Sequence, residues 1–171
     1  RHEDERSAGN DLARRTLSDY SALVVSDVGI LSDDAVDLIT TYLQGGGSVL
    51  TTLGPRAATL DTLPLSGQQR PSSGLFGGSE RPDRPGRVSG VEQSHPALRD
   101  AEGWRSVRFF RFVPIEPAAD DQVLIRFETG APLLVEKRIG AGRLLVLTSP
   151  LDRDWNDLAI HPLFVRFIGE A

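Results

Sequence analysis

Cysteine is absent from this 171-residue chain. Its absence removes disulfides, thiolate zinc sites and cysteine nucleophiles together. Methionine is absent as well, and the chain opens Arg1-His2-Glu3-Asp4, so the expectation is an excised or processed piece of something longer. Lys137 is the single lysine among 19 basic residues, a preference for arginine of the kind that a GC-rich coding bias produces. No apolar run approaches the roughly 20 residues needed to span a bilayer, and no signal-peptide pattern is present. Basic charge is also short: the net charge is −5, whereas phosphate binding needs a concentrated basic face, so nucleic acid is not expected as a partner.

What remains is an ordinary globular composition, 39% hydrophobic and 25% charged, too apolar for wholesale disorder and long enough to bury one core. Residues 1–18 read as a polar arm with a short helix over 11–17, and residues 19–171 as one α/β domain. Ala22-Leu23-Val24-Val25 is a continuous apolar run ending at Ser26-Asp27, which suits a parallel strand buried on both faces. Ser32 then stands as an N-cap ahead of Asp33 and Asp34, whose carboxylates favour the positive end of a helix. Leu31 and Val36 are spaced as a hydrophobic staple. Ala35, Leu38, Ile39, Tyr42 and Leu43 recur at helical spacing until Gly45-Gly46-Gly47 ends the run. Ser48 to Leu53 reads as a second buried strand, so the segment predicts a right-handed βαβ unit.

Residues 54–87 are rich in Pro, Gly, Ser and Arg, with few apolar anchors. A loop of that length is functional or mobile, and 66–86 is expected to be the most mobile internal segment. Leu75-Phe76 would dock it. Further strands are expected over 87–91, 107–113 (an alternating, half-exposed run), 123–127, 132–138 and 143–148. The last two form a hairpin with a loop of about four residues around Gly140-Ala141-Gly142. That triplet lacks the strand-before, helix-after setting of a phosphate loop. Short helices are expected where His95-Pro96 opens 94–98 and over 162–168. No internal repeat is found.

Three stretches together carry a resemblance: Asp19 to Asp27, the capped helix running into Gly45-Gly46-Gly47-Ser48-Val49-Leu50, and Arg138-Ile139-Gly140-Ala141-Gly142 into Arg143 to Thr148. With Thr148-Ser149-Pro150-Leu151-Asp152-Arg153-Asp154-Trp155-Asn156-Asp157-Leu158 and His161-Pro162-Leu163-Phe164, the chain resembles class I glutamine-amidotransferase-like domains of bacterial membrane proteins of the Bat, aerotolerance-regulator-like type. The resemblance implies a flavodoxin-like three-layer α/β sandwich with a mostly parallel sheet and an antiparallel hairpin near the C-terminal end. It places Thr52, or else Thr51, where the enzymes carry their cysteine, and no His-x-Glu is matched. It also implies a strand and helix before residue 22 that residues 1–20 are too few to supply.

The densest polar-aromatic cluster is Asp152, Asp154, Trp155 and Asn156, with Asp157 beside it. Asp27 and Thr52 end two other expected strands. Ligands of open α/β sheets bind outside the carboxyl ends of strands, so these six residues, Asp27, Thr52, Asp152, Asp154, Trp155 and Asn156, are the candidate ligand-binding rim. Their carboxylates are also spaced as hard-cation ligands could be. The same residues serve equally as turn caps around a packed tryptophan, the commoner use of Asp and Asn. A Thr52–His161–Asp152 triad is conceivable, although His95 and His161 both precede proline and read more simply as helix starts. Arg105, Arg108 and Arg111 form either a basic stripe or the wet face of a strand.

The sequence therefore leads to a non-catalytic domain of a membrane-anchored cell-envelope protein, periplasmic by preference. It would bind an unidentified protein partner or small ligand, with no catalytic residue, metal or cofactor of its own. The alternative is a hydrolase or metal-dependent enzyme using the acidic rim around Asp152 and Thr52. A carbohydrate-binding role follows from related folds that sit beside glycosidase domains.

Overall fold

The computed structural model describes residues 17–71 and 85–170. The Leu75-Phe76 anchor and, apart from Leu17 and its neighbour, the arm with the helix expected over 11–17 lie outside the described residues.

The βαβ unit forms as the sequence directs. Strand β1 (Ala22–Ser26) leads through helix α1 (Asp33–Gln44) to β2 (Ser48–Thr52). Ser32 is the N-cap, its Oγ accepting from the Ala35 amide, and the helix ends at Gly45. Strands β3 (Val88–Val91), β4 (Gln122–Phe127), β5 (Pro132–Ile139) and β6 (Gly142–Leu147) complete one six-stranded sheet in the order β1-β2-β6-β5-β4-β3. Helices α2 (Ala101–Ser106) and α3 (Pro162–Glu170) and four short 3-10 turns are the remaining helical segments among the described residues.

The sheet is mixed rather than mostly parallel. Pairing is parallel along β1-β2-β6 and antiparallel from β6 through β5 and β4 to β3. The cause is the hairpin, which reverses the chain beside the parallel edge and lets β4 and β3 follow as a meander. Its loop is tighter than expected, since Ile139 and Gly142 pair directly and leave Gly140-Ala141 as the turn. Gly140 has φ +61° and Ala141 does not have positive φ, the pattern of a type II′ turn with glycine first. A Cβ on Gly140 would also stand 2.7 Å from Gln44 Cα, so α1 abuts the turn closely enough to demand glycine.

Two further expectations change. Strand β1 lies at the sheet edge and is mostly exposed instead of buried on both faces; Val24 alone is 44% exposed. Residues 107–113 form no strand: Phe109 makes isolated bridges to Gly86 and to Asn156, and Val107, Phe109 and Val113 are buried. Alternation there reflects a chain threaded over the core, which buries alternate side chains without a ladder.

Alternation along β2 and β6 sorts the core by sheet face. Leu50, Leu145 and Leu147 join a cluster with Trp104 of α2, Leu163 and Phe167 of α3, and Phe109 and Phe127. Val49, Leu144 and Val146 join another with Ile39 and Leu43 of α1, Leu53, Leu63, Val113 and Trp155. The front of the 54–87 segment belongs to this second cluster. Ala57, Ala58 and Leu63 are buried, Gln69 bridges both Thr62 and Glu116, and Ser66 and Gln68 are buried, so 54–71 is packed onto the sheet. The rest of the segment expected to be most mobile, 72–84, lies outside the described residues.

Candidate functional site

The parallel register fixes where the three strands end. Ser26 aligns with Thr52, and Thr52 with Leu147, so β1, β2 and β6 end in one row. The segments that begin at Asp27, Leu53 and Thr148 therefore leave the sheet at the same end, and Trp155, whose amide Asp152 caps, joins one cluster with Val25, Leu53 and Ala57.

Asp27 is the pivot of that rim. Its amide donates to Thr52 O and its backbone turns left-handed at φ +41°, a conformation that aspartate tolerates better than most residues. The carboxylate thereby reaches across to the loop after β2, where Oδ1 accepts from the Arg56 and Ala57 amides at 3.2 Å each. It caps the 3-10 turn over 57–59 from a distant strand. Gly54 makes the room: a Cβ there would lie 2.7 Å from Asp27 Cγ.

Asp152 caps the turn after β6. Its Oδ1 accepts from the Asp154 and Trp155 amides at 3.0 Å each, while its side chain stays exposed. Asp154 is exposed too. Asn156 is wholly buried and staples the loop: Nδ2 donates to Ser149 Oγ (2.8 Å) and Pro150 O (2.6 Å), and Oδ1 accepts from the Leu158 amide (3.0 Å). Ser149 Oγ in turn donates to Arg111 O, fixing the 107–116 segment to the same loop. Trp155 is 4% exposed and packs among Val25, Ile39, Leu53 and Ala57. Thr52 is fully buried, its hydroxyl 3.1 Å from Ser26 Oγ.

The six rim residues thus divide. Asp152 and Asp154 are exposed and Asp27 is half-buried, whereas Thr52, Trp155 and Asn156 are buried. The Thr52–His161–Asp152 triad is not assembled. His161 Nε2 lies 3.7 Å from Asp157 Oδ1 and its Nδ1 3.5 Å from Ser106 Oγ, while the Thr52 hydroxyl meets Ser26. Among the described residues no group of three or more His, Cys, Asp or Glu is placed to hold a metal ion.

Away from the rim are two charged contacts that sequence reasoning missed. His95 Nδ1 accepts from the Ala97 amide, which leaves Nε2 to donate to Glu136 Oε2 at 3.0 Å; both side chains are buried, and Arg138 Nε donates to Glu136 Oε1. Asp157 accepts from the amide and the Nε of Arg108, both at 2.7 Å. The signal for the first was a glutamate closing the apolar run Pro132 to Val135. A carboxylate there must have a partner once it is buried. At the turn leading to His95, the Glu92 carboxyl is held below its usual range, chiefly because the Ser94 hydroxyl and then its amide donate to it.

No family model matches this chain, and no curated protein matches it. Solved structures do. It is similar to the cytoplasmic protein STM3548 from Salmonella typhimurium, with TM-score 0.71 and 16% identity over 90% of this chain and 71% of that one. A second cytoplasmic protein of that bacterium, STM1381, gives 0.69 and 18% over the same shares. It is also similar to a cold-adapted β-galactosidase from Rahnella sp. R3, with TM-score 0.65 and 17% identity. That match takes in 92% of this chain but only 23% of the galactosidase, so the likeness is to one unit of a larger enzyme.

These findings correct the resemblance drawn from sequence. The structural likeness runs to STM3548-like proteins and to β-galactosidase units, not to amidotransferase-like domains, and Thr52 inherits no role from an amidotransferase cysteine. The stretches that suggested otherwise, a capped helix between strands and a glycine hairpin, are common α/β grammar, which fold alone accounts for. The reading as a non-catalytic pseudoenzyme of a membrane-anchored envelope protein is withdrawn with it. The Salmonella proteins are described as cytoplasmic, and no helix among the described residues is long and apolar enough to cross a membrane.

Proposed function

We propose that this chain is a unit of a hydrolase that acts on glycosides, and that the acidic rim at the ends of β1, β2 and β6 is the part that handles the sugar. The observation that supports the reading is that β1, β2 and β6 end in one row and are followed by Asp27 and by the exposed Asp152 and Asp154, with Thr52, Trp155 and Asn156 buried. Its setting supports the substrate class, since the fold recurs within β-galactosidases. Carboxylates accept hydrogen bonds from sugar hydroxyls, and those of Asp27 and Asp152 are oriented by backbone amides, so little ordering is left to be done on binding. The two apolar clusters, one to each face of the sheet, further support a three-layer, flavodoxin-like arrangement in which loops at the strand ends carry recognition.

The test is calorimetric titration of the chain with galactose, lactose and a nitrophenyl β-galactoside, with release of nitrophenol followed in parallel. Binding to the native chain should weaken roughly tenfold in Asp154→Asn, a loss of about 1.4 kcal/mol. Asp152→Asn should behave likewise, because asparagine keeps the cap and removes only the charge. A native chain that neither binds nor cleaves any of these sugars would count against the reading.

A further inference from the structure

We infer that two copies of this chain pair through their β1 edges, antiparallel about Val24, to form one continuous sheet across the dimer. The two edges of the sheet differ in how they are finished. The β3 edge is interrupted by an irregularity between Val88 and Gly90, a common way of blunting an edge against further pairing. The β1 edge, Ala22-Leu23-Val24-Val25-Ser26, carries no charge, no proline and no register break against β2. Val24 is 44% exposed and Ile30, in the loop that follows, 89% exposed. An uncharged, regular edge strand with exposed apolar side chains is a template for another strand.

The occupant follows from which backbone groups face outward. The Asp27 amide donates to Thr52 O, so by the alternation of a ladder the N–H and C=O groups of Leu23 and Val25 face β2. Those of Ala22, Val24 and Ser26 face away from it. This outward set is symmetric about Val24, and a two-fold axis there pairs Val24 with its own copy and Ala22 with Ser26 of the other. All three outward positions then exchange bonds, about six in total. The neighbouring register, with the axis at Leu23, sets Asp19 against Asp27 of the second chain and wastes one outward residue. Like charges directly opposed disfavour it. The side chains agree with the chosen register. Leu23 and Val25 pack toward the α1 side, so Val24 projects from the opposite face, where the Val24 side chains of the two copies meet. A second copy is therefore the partner whose hydrogen-bonding pattern and charge match this edge by construction.

A single strand pair buries less than the roughly 1,200 Å² of a standard interface, so a dissociation constant in the micromolar range is expected. Sedimentation velocity from about 1 µM to about 100 µM should show a monomer–dimer equilibrium. Val24→Glu and Val24→Lys each oppose like charges across the axis and should each weaken dimerisation at least tenfold, with unchanged far-UV circular dichroism. An equimolar mixture of the two variants should regain the dimer. A native chain that stays monomeric throughout the range overturns the proposal, as does a Val24→Glu variant that dimerises like the native chain or a mixture that fails to recover.

Discussion

Trp155 stands eight residues past the end of β6 in a run of aspartates, where an aromatic ring could equally face a ligand or the core. The structure gives it to the core, with Asp152 capping its amide and its carbonyl accepting from the Phe110 and Arg111 amides. Trp155→Ala should therefore destabilise the fold by about 3–5 kcal/mol, read as a lower midpoint in urea. An unchanged midpoint would contradict that placement. Asn156→Ala removes a side chain whose partners, Ser149 Oγ, Pro150 O and the Leu158 amide, are buried with it. Leaving those groups unpaired should cost about 2–3 kcal/mol by the same measurement. Gly54→Ala should push the Asp27 carboxylate off the Arg56 and Ala57 amides. Faster amide exchange at those two positions is expected, and exchange at the native rate would refute the cap. The positions of these residues at strand ends were legible in the sequence, because apolar runs end where the polar residues begin. Which of them face water was not, since that depends on the path of 107–116 over the sheet, where Phe109 meets Asn156 and Arg111 meets Ser149 only in three dimensions.

Helix α1 was the most legible element because every local signal agreed: cap, staple, spacing and glycine stop all point to 33–44. Ser32→Ala should cost about 1 kcal/mol, the usual value of an N-cap. The β1 strand was read correctly in extent but not in exposure. A run of four apolar residues looks the same at an edge as in the middle of a sheet, and only the strand order distinguishes them. Helix α2 escaped notice because its six residues, Ala101–Ser106, are too few to establish a period, and its N-cap, Asp100, lies among other polar residues. The turn over 92–95 carries a pH signature of its own. The Glu92 pKa is depressed below 4.5 in the folded chain, so its contribution is present above that value and is lost as pH falls through the folded pKa. The protection of the Ser94 amide, which donates to Glu92, taken relative to its intrinsic exchange rate at each pH, should fall as pH drops through the folded pKa, and Glu92→Gln should abolish that fall. A variant with the native pH profile would show that another group is responsible.

At the scale of the whole molecule, the sheet has one parallel edge and one antiparallel half, and the proposed sugar site and the proposed dimer contact fall on different parts of the parallel edge. Strand ends carry the carboxylates, and the flank of β1 carries the apolar surface. The charge of the chain is consistent with a neutral, hydroxyl-rich ligand at that rim rather than a phosphate. The account rests on the rim being where sugar is handled, and amide chemical-shift mapping of the chain titrated with galactose and lactose tests it most directly. The account predicts shifts confined to residues 27–31, 53–57 and 148–155, with the titration midpoint moved roughly tenfold higher in Asp154→Asn. Saturating sugar that leaves those amides unmoved, or moves those of β3 and α2 instead, would contradict it.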